Sequence, residues 1–153
     1  MKLGNPPKQV AEYVLKLAAD RDVPLTPMQV LKLVYISHGW QLGLYGRPLI
    51  NGPIEAWQYG PVVPSVYHHY KRFRSGFIDA IPAQYPDDFD SSEVSTLRQV
   101  FDGYGSRSGI SLSSLTHEHG TPWSITVQQS GIGAVISNDL IEDYYRRRAA
   151  PRV

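Results

Sequence analysis

The stretch TPMQVLKLVYISHGWQLGLYG, from Thr26 to Gly46, decides how the rest of the chain must be arranged. Thr26 stands where a helix N-cap belongs, Pro27 falls at the first helical position, and Gln29 follows the cap by three residues, which together make a capping box. Behind that start, Val30, Leu31, Leu33, Val34, Tyr35, Ile36, Trp40, Leu42 and Leu44 occupy most of the helix circumference. A helix apolar all round has no face to give to water, so it is predicted to run through the centre of the molecule with Trp40 in the core. Gly46 supplies a left-handed stop and Pro48 forbids continuation, which ends the helix near Tyr45.

Other helices are predicted around this one. Val10, Tyr13, Val14, Leu17 and Ala18 repeat at one-face spacing, and Pro6 and Pro7 suit a first turn, giving a helix over 6 to 20. Val66, Tyr67, Tyr70 and Phe73 place a third helix over 64 to 75, closed by Ser75-Gly76. Asp90 and Glu93 form a cap pair ahead of the stripe Val94, Leu97, Val100, Phe101 and Tyr104. Two short helices are expected over 111 to 117 and 121 to 130, the second capped by Thr121 with Pro122 behind it. A last one opens at Ser137, with Ile136 and Ile141 spaced as a hydrophobic staple.

Only one segment carries a strand signal. Ile54, Ala56 and Gln58 alternate with Glu55, Trp57 and Tyr59 between Asn51-Gly52-Pro53 and Gly60-Pro61, which predicts a short strand, half of a small hairpin with Pro48 to Ile50. Residues 76 to 90 are rich in Pro, Asp and Ala without a sustained period, and are expected to be a mobile surface loop. The fold class that follows is mainly α: a compact single-domain bundle of six or seven helices over residues 1 to 153, with a small β insertion near 48 to 60.

Composition agrees with a folded chain and removes several chemistries. Apolar residues make up 42% and charged residues 19%, far from the balance of disordered chains. There is no cysteine, which excludes disulfides, thiolate metal sites and a cysteine nucleophile. No apolar run approaches the roughly 20 residues needed to cross a bilayer, and the N-terminal segment lacks a signal-peptide core, so a soluble, cytoplasmic protein without membrane contact is expected. Formal net charge is +1, which gives no general pull toward polyanions. The basic cluster Arg146, Arg147, Arg148 and Arg152 follows Asp139, Glu142 and Asp143, the order that complements a helix macrodipole.

Catalytic readings find little to stand on. His117 and His119 flank Glu118, and His68-His69 precede Tyr70, but neither pair has the i, i+4 spacing that aims two imidazoles at one metal. Ser113 or Ser114 with His117 or His119 could be written as a triad, yet no Gly-x-Ser-x-Gly elbow presents the hydroxyl. The glycines miss the phosphate-loop and dinucleotide spacings. No catalytic residue, metal or cofactor is assigned, and the chain is expected not to be an enzyme.

What stands out is aromatic density, with 3 Trp and 10 Tyr. Such side chains combine large contact area with a polar tip and concentrate where proteins meet. Trp57 and Tyr59 share a strand face with Glu55, where they either cover the helices or present an aromatic surface. Gly60-Pro61 then turns the chain into a helix bearing Tyr67, His68 and Tyr70. One ridge formed by Trp57, Tyr59, Tyr67 and Tyr70 is the expected partner-binding surface.

Leu31-Lys32-Leu33-Val34-Tyr35, Gly39-Trp40, Leu44-Tyr45-Gly46-Arg47-Pro48-Leu49, Glu55-Ala56-Trp57-Gln58-Tyr59-Gly60-Pro61-Val62 and Val66-Tyr67 follow one another along the chain. Together these blocks resemble the Panacea antitoxin domain family. Leu115-Thr116-His117 with Pro122-Trp123, and the ending Ser137 to Tyr145, are similar too, whereas Ser124-Ile125-Thr126-Val127 departs from the charged continuation of the family. The resemblance implies an antitoxin of a two-gene toxin-antitoxin operon, often carried on a prophage, that neutralises a cognate protein toxin by direct contact. It also implies, for one branch, a proteolytic adaptor that delivers the toxin to an energy-dependent protease. Two competing classes are a DNA-contacting regulator of its own operon, using the arginine end, and a hydrolase of unknown substrate.

Overall fold

The computed structural model describes residues 3–149. The elements run α1 (Pro7–Asp20), α2 (Pro27–Tyr45), β1 (Glu55–Trp57), β2 (Gly60–Val62), α3 (Pro64–Tyr70), a 3-10 turn (Lys71–Phe73), α4 (Ser91–Tyr104), α5 (Gly109–His117), α6 (Pro122–Ser130) and α7 (Asn138–Ala149). The protein is mainly α, with a two-stranded antiparallel sheet as its only sheet among the described residues.

Helix α2 is the axis the sequence predicts. Its capping box is complete: the Gln29 N–H donates to Thr26 Oγ1 at 3.3 Å and the Thr26 N–H donates to Gln29 Oε1 at 2.8 Å. Gly46 ends it in the left-handed region at φ 68°. Val30, Leu33, Val34, Tyr35 and Ile36 are all buried, and α1, α3, α4, α5, α7 and β2 pack around them. Helix α7 approaches most closely, across Gly39 and Gly43, which lie one turn apart on the same face. A Cβ at Gly39 would sit 2.2 Å from a ring carbon of Tyr145, and one at Gly43 would sit 2.7 Å from Tyr145 Cβ. Only glycine leaves room for that crossing.

The surround is not complete at Trp40, which is half-buried and not in the core as the apolar pattern predicts. Its indole meets Tyr145 edge-on at 5.2 Å. Between α4 and α7 the helices leave a groove of about 310 Å³, bordered by Trp40, Leu44, Val100 and Tyr104. All-round apolarity tells that a helix is central, but not that every side of it is covered.

The predicted hairpin exists with a different partner. β1 pairs with β2, Glu55 opposite Val62 and Trp57 opposite Gly60, so Gly60-Pro61 belongs to a strand and Gln58-Tyr59 makes the turn. Pro61 is tolerated because its opposite, Ala56, spends its N–H and C=O on the other edge, at Ala134 O (2.9 Å) and Gly133 N (2.7 Å). Residues 48 to 50 instead hold the N-terminal approach: Asn5 N donates to Leu49 O at 2.8 Å, and Asn5 bridges Ile50.

Smaller differences have local causes. Helix α3 tightens into the 3-10 turn after Tyr70 and stops at Arg74, whose φ is 53°. Helix α5 starts at Gly109, earlier than expected, because Ser108 caps it through Ser111 N (3.1 Å). The long 76 to 90 segment has no helix or strand and runs over the surface as expected, with a few side chains and backbone groups fastened to α1 and the turn after it. Ile78 is buried and donates to Leu25 O at 2.9 Å, and Tyr85 stacks on Tyr13 at 4.7 Å while its hydroxyl donates to Asp20 at 2.6 Å. The α4 cap pair closes as predicted, with Glu93 N to Asp90 Oδ1 and Asp90 N to Glu93 Oε1 both at 3.0 Å.

Candidate functional site

The hairpin is held from beneath by side chains of three different helices. Trp123 Nε1 on α6 donates to Trp57 O at 2.6 Å, Ser113 Oγ on α5 donates to Tyr59 O at 2.5 Å, and Lys32 Nζ on α2 donates to Pro61 O at 2.9 Å. Three alternate carbonyls of the hairpin are thus fixed to the helical body. This is a rigid platform for whatever side chains the turn carries, and rigidity lowers the entropy that binding must overcome.

Tyr59 sits at that turn and is 63% exposed. Trp57, two residues earlier at the end of β1, is half-buried, with its ring edge-on to Tyr67 at 4.8 Å and its Nε1–H donated to Glu55 Oε1 at 2.9 Å. His68 completes the group, 5.3 Å from Tyr67 and 6.4 Å from Trp57. Trp57, Tyr59 and Tyr67 border one cavity of about 290 Å³, whose other walls include Met28, Leu31 and Lys32 from α2.

Tyr70 does not join them. It is buried, as is Val66 one turn earlier, so positions 66 and 70 form the inner face of α3 while Tyr67 is rotated about 100° away. Burial, more than the nearby Glu12 carboxylate, pushes the Tyr70 phenol up to about 12. The ridge expected from sequence therefore keeps Trp57, Tyr59 and Tyr67, loses Tyr70 and gains His68. Lys32 escaped the sequence reading as a site residue, although one cation inside an apolar run was a visible signal.

Ser113 and the α7 arginines, on which the competing readings rest, have partners of their own. Ser113 Oγ is engaged with Tyr59 O, and His117 Nδ1 stands 3.5 Å from it. Among the described residues no group of three or more His, Asp or Glu is placed to hold a metal. On α7 the arginines are occupied along the helix: Arg146 with Glu142, Arg147 with Asp143, and Arg148 over the Tyr144 ring at 5.2 Å. Arg152 lies outside the described residues. No described helix is long and apolar enough to cross a membrane.

Comparison with known proteins bears on the same residues. The family described as Antitoxin SocA-like, Panacea domain, matches residues 30–124, a span that runs from Val30 in the first turn of α2 through the hairpin, α3, α4 and α5 to just beyond Trp123. Antitoxin SocA of Caulobacter vibrioides (strain NA1000 / CB15N) is 31% identical over 155 residues, covering 91% of this chain and 81% of that protein. No solved structure matches significantly. The chain belongs to the SocA-like Panacea antitoxin family.

Proposed function

We propose that this chain neutralises a cognate protein toxin by direct, stoichiometric binding, with Trp57, Tyr59 and Tyr67 as the contact residues. The observation that carries the reading is a tyrosine 63% exposed at the tip of a hairpin that three helices hold in place. An exposed aromatic on a rigid support, next to a concave apolar wall, is the arrangement that yields binding hot spots. Family membership supplies the kind of partner. Masking a toxin's working surface needs no catalytic group, and the same grip would let an energy-dependent protease receive the toxin in the cytoplasm.

The test is co-expression with the product of the adjoining reading frame at graded ratios. Masking predicts that rescue is lost once the toxin exceeds this protein, whereas rescue at roughly a tenfold deficit would indicate turnover and reject simple masking. Tyr59→Ala should weaken toxin binding by about 2 kcal/mol, the hot-spot scale, with an unchanged melting temperature. Tyr67→Ala should weaken binding and also lower stability, since its ring supports Trp57. Full affinity in a folded Tyr59→Ala protein would remove this surface.

A further inference from the structure

Lys32 is the one formally charged side chain on α2. His38 and Gln41 are equally buried, but each is matched by neutral partners on two sides: His38 by Asn138 and the Leu49 and Ile50 N–H groups, Gln41 by Ser92 and Thr96. Lys32 is 1% exposed and has a single hydrogen bond, to Pro61 O. An ammonium carries three donors, so two remain. Among the described residues no carboxylate forms an ion pair with it, and the hairpin's own Glu55 is engaged with Trp57 Nε1. The hairpin is also shaped around the lysine head: a Cβ at Gly60, whose φ is 118°, would lie 3.1 Å from Lys32 Nζ.

We propose that Lys32, in the wall of the aromatic cavity, receives an acidic side chain of the protein partner, aspartate or glutamate. This rests on the partner-binding reading and names the chemistry the partner must present. The cavity of about 290 Å³ has room for such a group, and Met28, Leu31, Trp57 and Tyr67 offer apolar walls to its methylene stem. A cation buried without a counter-charge is costly, and that cost falls when a carboxylate is seated beside it. Burial lowers the Lys32 pKa to about 8, so the ammonium form still predominates at neutral pH and is available to an anion. An amide of the same shape would leave the charge uncompensated, which makes the position a selector as well as an anchor.

The experiment is NMR of the full chain with Lys32 Cε–H resonances assigned, titrated with three small probes. N-acetyl-glutamate amide carries only the side-chain carboxylate, N-acetyl-glutamine amide carries none, and N-acetyl-glutamine carries only a terminal one. The first should bind weakly, on the order of millimolar for so small a ligand, shift Lys32 and raise its pKa by about one unit, a tenfold effect. The uncharged probe should leave both unchanged, and the terminal carboxylate should bind at least about fivefold more weakly. Lys32→Met preserves the stem's path and should abolish binding of the first probe, read in both proteins from the Trp57 and Tyr67 ring resonances of the same cavity, while the melting transition stays cooperative. Equal responses to the first two probes, or a response that survives in folded Lys32→Met, would overturn the proposal. Preference for N-acetyl-glutamine would overturn the side-chain assignment. Because no toxin is used, this outcome is independent of whether toxin binding is ever found.

Discussion

Acidification should destabilise this protein through one imidazole. His38 is fully buried on α2, with Nδ1 facing two backbone donors, Leu49 N and Ile50 N, each at 3.2 Å, and Nε2 at 2.9 Å from Asn138 Oδ1. That geometry requires a neutral ring protonated on Nε2. A second proton would set an N–H against two N–H groups and bury a charge without a counter-ion. Burial accordingly holds the His38 pKa down at about 4 against 6.5 in an open chain, despite the opposing Asn138 bond. The unfolded chain therefore binds more protons between these values, and the stability that His38 confers is complete above pH 6.5 and is lost as pH falls toward 4. The gap of about 2.5 units corresponds to about 3 kcal/mol, of which about 2 kcal/mol should be gone by about pH 5. Urea denaturation at about pH 7.5, 6.5, 5.5 and 5 measures it, with His38→Gln as reference. The variant should start less stable, because two backbone donors lose their acceptor, and then decline less steeply. Parallel curves for the two proteins, or an imidazole titrating near 6.5 by NMR, would refute the reasoning.

Three further outcomes follow from packing and capping. Gly39→Ala should cost about 2 kcal/mol or more, seen as a lower melting temperature, since its Cβ would meet the Tyr145 ring at 2.2 Å and outweigh a helix-propensity gain of about 1 kcal/mol. Trp40→Ala should cost about 2 kcal/mol in denaturant titration and not the 3 to 5 kcal/mol of a fully buried tryptophan, because its indole borders an open groove. Asp90→Ala should cost about 1 kcal/mol as a lost N-cap. The Asp90 carboxyl is held at about 2 by the Ser92 hydroxyl first, then by Glu93 N–H and Arg47, so its contribution is present above 3.8 and lost only toward pH 2, below the His38 window.

Helix positions were legible because their signals are local. Thr26, Asp90 and Thr121 each announce a cap within three residues, and each does cap. Pairing was less legible, since it depends on residues far apart in the chain. Nothing near Pro61 says that Ala56 will direct both backbone groups to residues 133 and 134, which is what makes a proline acceptable in β2. The fastening of residues 76 to 90 has the same origin, since it depends on Tyr13, Asp20 and Leu25 from elements earlier in the chain.

The site was half legible, for a reason that lies in α2. A count of apolar positions treats Lys32, His38 and Gln41 as interruptions of an otherwise greasy helix. In the fold each is a buried polar arm reaching a different neighbour: Lys32 the hairpin, His38 the 48 to 50 segment and the start of α7, Gln41 the first turns of α4. Apolar contacts are nearly indifferent to register, whereas a buried donor or acceptor that slips by one residue loses its partner and incurs the full desolvation cost. The apolar residues thus make α2 central, while the polar ones decide how the non-helical pieces sit upon it. Lys32 is the member of that second group that reaches the hairpin, beside Ser113 from α5 and Trp123 from α6, so a reading built on hydrophobic period finds Tyr59 but overlooks what ties it to the helical body.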